Sequence, residues 1–141
     1  VGMSEDGKTV YSKCMWDTIV ALPTHHPLSL SAASNSSFGE RPIGETPSNS
    51  PQGASNTPSP RWVTHADFGY EHNPAMPLEK DGTLWVSTKN GLLLGMDAET
   101  GEVLWRHKIG NSILNTPLPL SCTECIFTSS EGTITYIKVK K

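Results

Sequence analysis

The chain has 141 residues, with 11 basic and 14 acidic side chains, a formal net charge of −3 and 35% hydrophobic residues. That balance lacks the concentrated basic patch a nucleic-acid-binding surface needs. No apolar run approaches the roughly 18 residues of a transmembrane helix, and no signal peptide is visible in a sequence that opens at Val1.

In chain order, Asp6-Gly7 reads as a turn, followed by a strand over 9–12, a turn near 15–17 and a second strand over 18–22. Cys14 falls within this stretch and is expected to be a small apolar filler. From Pro23 to Pro60 the composition changes. Seven of the eleven prolines (23, 27, 42, 47, 51, 58, 60) lie here, and aromatic and β-branched apolar residues almost vanish, Phe38 and Ile43 being the exceptions. Such a segment cannot bury enough apolar surface to offset its ordering entropy, so residues 23–60 are expected to form a long disordered insertion. It also holds the adjacent His25 and His26 and a match to a glycosylation acceptor at Asn35-Ser-Ser37.

After Trp62, the stretch Asn73-Pro-Ala-Met-Pro-Leu78 leads through Asp81-Gly82 to a strand over 84–87, a hairpin turn at Asn90-Gly91 and a strand over 92–96. Asp97-Ala-Glu-Thr-Gly101 is turn chemistry: an Asp that bonds the backbone, then a Gly that accepts positive φ. A strand restarts at Val103-Leu-Trp105. Asn115-Thr-Pro-Leu-Pro-Leu120 then repeats the earlier Asn-led stretch, followed by strands near 126–129 and 133–137. This self-similarity marks a repeat architecture.

Asp97, Gly101 and Trp105 stand at four-residue intervals, and the pattern resembles the tryptophan-docking repeat of quinoprotein-like β-propellers, Ala-x-Asp-x-x-x-Gly-x-x-x-Trp. Gly95 stands where that family has Ala, and Ala21 takes this place in the first copy. Trp62 and Trp105 end successive copies 43 residues apart, within a usual blade length. The last copy has Lys138 in place of the Asp and neither the Gly nor the Trp. The resemblance implies an all-β fold, a partial β-propeller of consecutive four-stranded antiparallel blades, with about three blades traced. Residues 1–22 would form a first partial blade, 23–60 the insertion, 61–110 the end of the first blade and a complete second, and 111–141 a last, incomplete blade. A closed propeller usually has four to eight blades, so the chain is expected to be the C-terminal part of a longer one. A stand-alone sandwich of three small sheets is the alternative.

The resemblance implies that Asp97, Gly101, Trp105 and Trp62 are structural docking residues. It also implies that the first strand of each blade lines a central channel, which makes His72, Asn73 and Asn115 the candidate ligand-binding residues. The competing reading is that each Asn caps the turn entering its blade. Cys122-Thr-Glu-Cys125 has the spacing of a redox pair or half a zinc site, but a second half is missing, and two incidental thiols or a local disulfide is preferred. The histidines lack zinc-ligand spacing, and His65, His72 and His107 read as solvent-facing. No nucleophile elbow, phosphate loop or dinucleotide fingerprint occurs, so no catalytic and no metal-binding residue is assigned.

The function this points to is a non-catalytic module, a scaffold or a protein- or ligand-binding surface, with no cofactor. The resemblance implies a larger bacterial cell-envelope protein, periplasmic or otherwise extracytoplasmic. Its partner would be another protein or the remaining blades of the same propeller. The alternative is a piece of an enzyme. One form is a dehydrogenase using pyrroloquinoline quinone (PQQ) and calcium, for which Trp16 or Trp85 would have to stack on the quinone. The other is a metallophosphoesterase–propeller fusion with its active site outside this chain.

Overall fold

A computed structural model describes residues 1–24 and 59–140. The expected disordered insertion, with His25, His26 and Asn35, lies outside the described residues except for its ends, Pro23, Thr24, Ser59 and Pro60. The described residues form three antiparallel sheets in sequence order and no helix. Blade 1 runs β1 (Gly2–Met3), β2 (Thr9–Lys13), β3 (Trp16–Pro23) and β4 (Trp62–Tyr70). Blade 2 runs β5 (Leu78–Lys80), β6 (Thr83–Ser87), β7 (Leu92–Asp97) and β8 (Val103–Lys108). Blade 3 has three described strands, β9 (Leu118–Pro119), β10 (Glu124–Thr128) and β11 (Ile134–Lys138).

Each sheet is a meander because every connection but one is a short turn. The exception joins β3 to β4 across the insertion, yet these strands still pair, Ala21 opposite Trp62 and Ile19 opposite Thr64. Closing a longer loop costs entropy that grows only with the logarithm of its length.

Two hydrophobic cores lie between the blades. The first joins Tyr11, Ile19, Ala21, Ala66 and Phe68 of blade 1 to Leu84, Val86, Leu94, Met96 and Ala98 of blade 2. The second joins Trp85 and Leu93 of blade 2 to Leu114, Cys125 and Phe127, with Trp105, Ile137 and Val139 packed alongside. The period-2 alternation of a strand sends Leu84 and Val86 into one core and Trp85 into the other. This is why β6 is buried at every residue, from Thr83 to Ser87. Full burial of each large apolar side chain contributes about 1.5–3 kcal/mol, so the interfaces between sheets dominate the packing.

One expectation is changed. Cys14 is exposed and lies just past β2, because the chain is already turning toward Met15. Trp85 is a core residue with 0% exposure, whereas Trp16 is 68% exposed. The β3–β4 pairing is irregular at its far end: Trp16 pairs with Tyr70 and Thr18 with His65, so four residues of β4 oppose one of β3. Asp67 (φ 55°) and Asp17 (φ 29°) take positive φ in this bulge, and Ala66 and Phe68 from it plug the first core.

Candidate functional site

The Asp97 turn is built as its sequence suggests. Asp97 Oδ1 accepts the N–H groups of Glu99 (2.9 Å) and Thr100 (3.0 Å), and the Gly101 N–H donates to the Asp97 carbonyl (2.8 Å). Gly101 has φ +78°. What rests on this turn is Trp62 of the preceding blade. Its Nε1–H donates to the Ala98 carbonyl (3.0 Å), and Thr64 Oγ1 donates to the Gly101 carbonyl (2.7 Å). A Cβ at Gly101 would lie 2.5 Å from the indole ring. The contact therefore joins blades, with the Gly of one copy under the Trp of the copy before it.

Among the described residues, Trp105 has no such turn to meet. Its ring covers Gly95, its own cross-strand partner, so closely that a Cβ there would overlap the indole. This gives a physical reason for Gly at that position. Trp105 meets Trp85 edge to face at 4.9 Å and packs toward Ile137 and Val139. A cavity of about 360 Å³ lies beside it, lined by Arg106, His107 and residues 137–139. Trp85 Nε1 is the one buried side-chain polar atom among the described residues with no hydrogen-bond partner.

At the end of the blades bearing the Asp97 turn, a polar cavity of about 540 Å³ opens between blades 1 and 2, lined in part by Asp6, Tyr11, Arg61, Glu79, Asp81 and Glu99. Several of its polar groups are engaged with one another. Tyr11 Oη donates to Glu79 (2.6 Å), and Asp6 Oδ1 accepts from Ser4 Oγ (2.6 Å) and the Lys8 N–H (3.0 Å). The Ser4 and Lys8 bonds hold Asp6 below the usual carboxylate range. Burial, then the Glu79 bond, pushes the Tyr11 hydroxyl well up. Among the described residues, no group of three or more His, Cys, Asp or Glu is placed to hold a metal ion.

The opposite end carries the candidate ligand residues. Glu71 is 3% exposed, and its carboxylate accepts the N–H groups of Asn73 (2.7 Å) and Lys89 (2.9 Å). Asn73 forms an Asx turn by accepting the Ala75 N–H (3.2 Å), and its Nδ2 donates to the Leu114 carbonyl (2.6 Å), tying the entries of blades 2 and 3 together. Asn115 Nδ2 donates to Thr128 Oγ1 (2.7 Å), while its carbonyl accepts from Ser87 Oγ (2.8 Å). Lys13 Nζ donates to the Ser87 carbonyl (2.8 Å), and burial lowers its pKa. Asn73 thus makes an Asx turn at its blade entry, whereas the Asn115 side chain bonds Thr128 instead. His72 is exposed and meets Tyr70 edge-on at 4.4 Å.

Beside them stands a cluster the sequence did not reveal. Trp16 and Tyr70 are held together by the β3–β4 bulge, their rings 4.9 Å apart. Tyr70 is 38% exposed, and Lys89 Nζ lies 5.4 Å above its ring. Trp16, Tyr70, His72 and Lys89 therefore present aromatic faces and a cation to solvent in one place. Large apolar bodies with polar tips are the groups most enriched at binding hot spots. The only sequence signal was two aromatics whose pairing depends on a bulge.

No family model matches the sequence, and no curated protein is significantly similar to it. Among solved structures, the crystal structure of BamB from Moraxella catarrhalis is similar, with a TM-score of 0.64 and 17% identity over 98% of this chain and 33% of that chain. The chain spans about a third of that protein's length. The likeness is one of fold, and the described residues are a partial, all-β propeller.

Proposed function

We propose that this chain is a non-catalytic β-propeller module that acts as a scaffold and protein-binding surface in a larger bacterial cell-envelope protein, outside the cytoplasm. The observation that carries the binding role is the exposed cluster of Trp16, Tyr70, His72 and Lys89, rigidly backed by the buried Glu71. Asn73 and Asn115 border it as further ligand-facing candidates. Trp62, Gly101, Asp97 and Trp105 serve to dock blades rather than to bind. The envelope setting is supported by the propeller resemblance in the sequence and by the fold shared with BamB. No cofactor or metal has a role in this reading, and the partner is a protein or the remaining blades of the propeller.

A photo-crosslinking residue placed at position 16 in the producing cells tests it. One recurrent protein adduct, identified by mass spectrometry and weakened by Tyr70→Ser, is expected. The absence of any adduct, or quinone- and calcium-dependent dye reduction by the purified protein, refutes it.

A further inference from the structure

The cavity of about 540 Å³ between blades 1 and 2 has a lopsided charge. Five of its lining side chains are carboxylates, Asp6, Glu79, Asp81, Asp97 and Glu99, and Arg61 is the one cation among the described lining residues. Lys80, between Glu79 and Asp81 in sequence, is engaged by Glu5 (2.6 Å). Internal bonds use only part of this acceptor capacity. Tyr11 occupies one oxygen of Glu79, and two turn amides occupy one of Asp97. The second oxygen of each, and the Asp81 carboxylate, accept no hydrogen bond among the described residues. A cleft lined by one sign of charge concentrates ions of the other.

Thr9 points the same way independently. It is 4% exposed, and its N–H donates to Ser4 Oγ (2.9 Å), but its hydroxyl has no hydrogen-bond partner among the described residues. Unlike Trp85 Nε1, which is sealed from solvent, the Thr9 hydroxyl opens into the cavity. Alternation along β2 sets Thr9 on the same face as Tyr11, the face that meets blade 2. Buried hydroxyls are normally paired, so this one marks a place for a donor from outside the chain. Both walls of the cavity are faces of two sheets already packed on each other. The carboxylates do not converge, since among the described residues no group of three is placed to hold a metal ion. Charge spread along a cleft suits an elongated cation whose amino groups meet the carboxylates singly.

We propose that this cavity is a binding site for an extended organic polycation, a chain bearing two or more amino groups. Glu79, Asp81 and Asp97 of blade 2 and Asp6 of blade 1 receive its ammonium groups, and the Thr9 hydroxyl accepts one N–H at the floor. Glu79 is held for this by Tyr11 Oη (2.6 Å), and Asp97 by the turn it caps. A free polyamine and a lysine-rich peptide segment carry this chemistry alike. The site goes beyond the protein-binding role above, which rests on the aromatic cluster at the opposite end of the blades and stands or falls separately.

The test is isothermal titration calorimetry of spermidine, and separately of a pentalysine peptide, into the purified chain at low salt. One-to-one saturation is expected. Glu79→Gln keeps an acceptor for Tyr11 but removes the charge, and should weaken binding about tenfold. Thr9→Val keeps the branched shape without the hydroxyl, and should weaken it about threefold with an unchanged circular dichroism spectrum. Glu131→Gln makes the same charge change on blade 3, away from this cavity, and should leave binding unaltered. If Glu79→Gln does not fold, Asp81→Asn replaces it, since Asn tolerates the positive φ of that position (48°). Saturation by spermidine alone upholds the site for a free polyamine, and by the peptide alone for a basic chain segment. The proposal is overturned if neither probe saturates, or if magnesium at equal ionic strength abolishes binding as completely as Glu79→Gln weakens it. Equal losses in Glu131→Gln and Glu79→Gln, which would reveal diffuse charge attraction, also overturn it.

Discussion

Replacing Gly101 with Ala tests the interblade contact most sharply, because two separable penalties meet there. Gly101 has φ +78°, and an L-residue in the left-handed region costs about 1–2 kcal/mol. The new methyl would also lie 2.5 Å from the Trp62 ring and 2.7 Å from Thr64 Oγ1, an overpacking worth about 1–3 kcal/mol more. Gly82 supplies the control, since it has φ +76° but nothing within 4 Å of its missing Cβ. Gly82→Ala should therefore lose about 1–2 kcal/mol and Gly101→Ala about 2–5 kcal/mol in urea denaturation followed by circular dichroism. Trp62→Ala alone should cost about 3 kcal/mol, the low end for a Trp that is only half-buried. In that background the clash with the indole is gone and only the one with the Thr64 hydroxyl is left, so adding Gly101→Ala should cost less than in the parent, a coupling of about 1–2 kcal/mol. If Gly101→Ala costs the same with and without the indole, Trp62 does not dock on the Asp97 turn.

Asp97→Ala removes the acceptor for two turn amides and should cost about 1–2 kcal/mol, with Asp97→Asn recovering most of it; equal losses in the two variants would show that the oxygen is not what matters. Burial pushes the Cys125 thiol up to about 12, so iodoacetamide at neutral pH should label exposed Cys14 first and Cys125 only after unfolding. Equal labelling rates by mass spectrometry would contradict this packing. The Lys80 hydrogen bond lowers the Glu5 pKa and raises that of Lys80. The pair's contribution is thus present from about pH 5 to about pH 10. It fades as acid protonates Glu5 or as alkali deprotonates Lys80. Glu5→Gln should differ from the parent only within that window and only at low salt, as melting curves across pH would reveal.

Much of this architecture was legible because its signals are local. The Asp97 turn needs only an Asp and a Gly at the right separation, and the strands flanking it fell within a residue or two of their predicted ends. The copy-to-copy spacing of Trp62 and Trp105 exposed the repeat despite the intervening insertion. What the motif concealed was the pairing: read along the chain, Gly101 belongs with Trp105, but in space it supports Trp62, a contact across 39 residues. Long-range partners leave no periodic trace. The Trp16–Tyr70 pair was hidden for a related reason, since ordinary strand register would set Trp16 against Asp67, and only an irregular stretch brings Tyr70 there. Glu71 likewise gave no warning of its burial, because the amides it binds come from its own connection and from the next blade.

The complete burial of β6 has a consequence for how the molecule opens. A linear array of repeats gains stability from nearest neighbours, and blade 2 has one on each side while blades 1 and 3 each have one among the described residues. Local opening is therefore graded along the array rather than uniform. Amide hydrogens of β6 and β7 are expected to exchange only when both flanking cores are lost, and those of β11 by fraying of the last sheet alone. Hydrogen exchange in this chain thus records position in the stack, with the middle hairpin as the slowest clock.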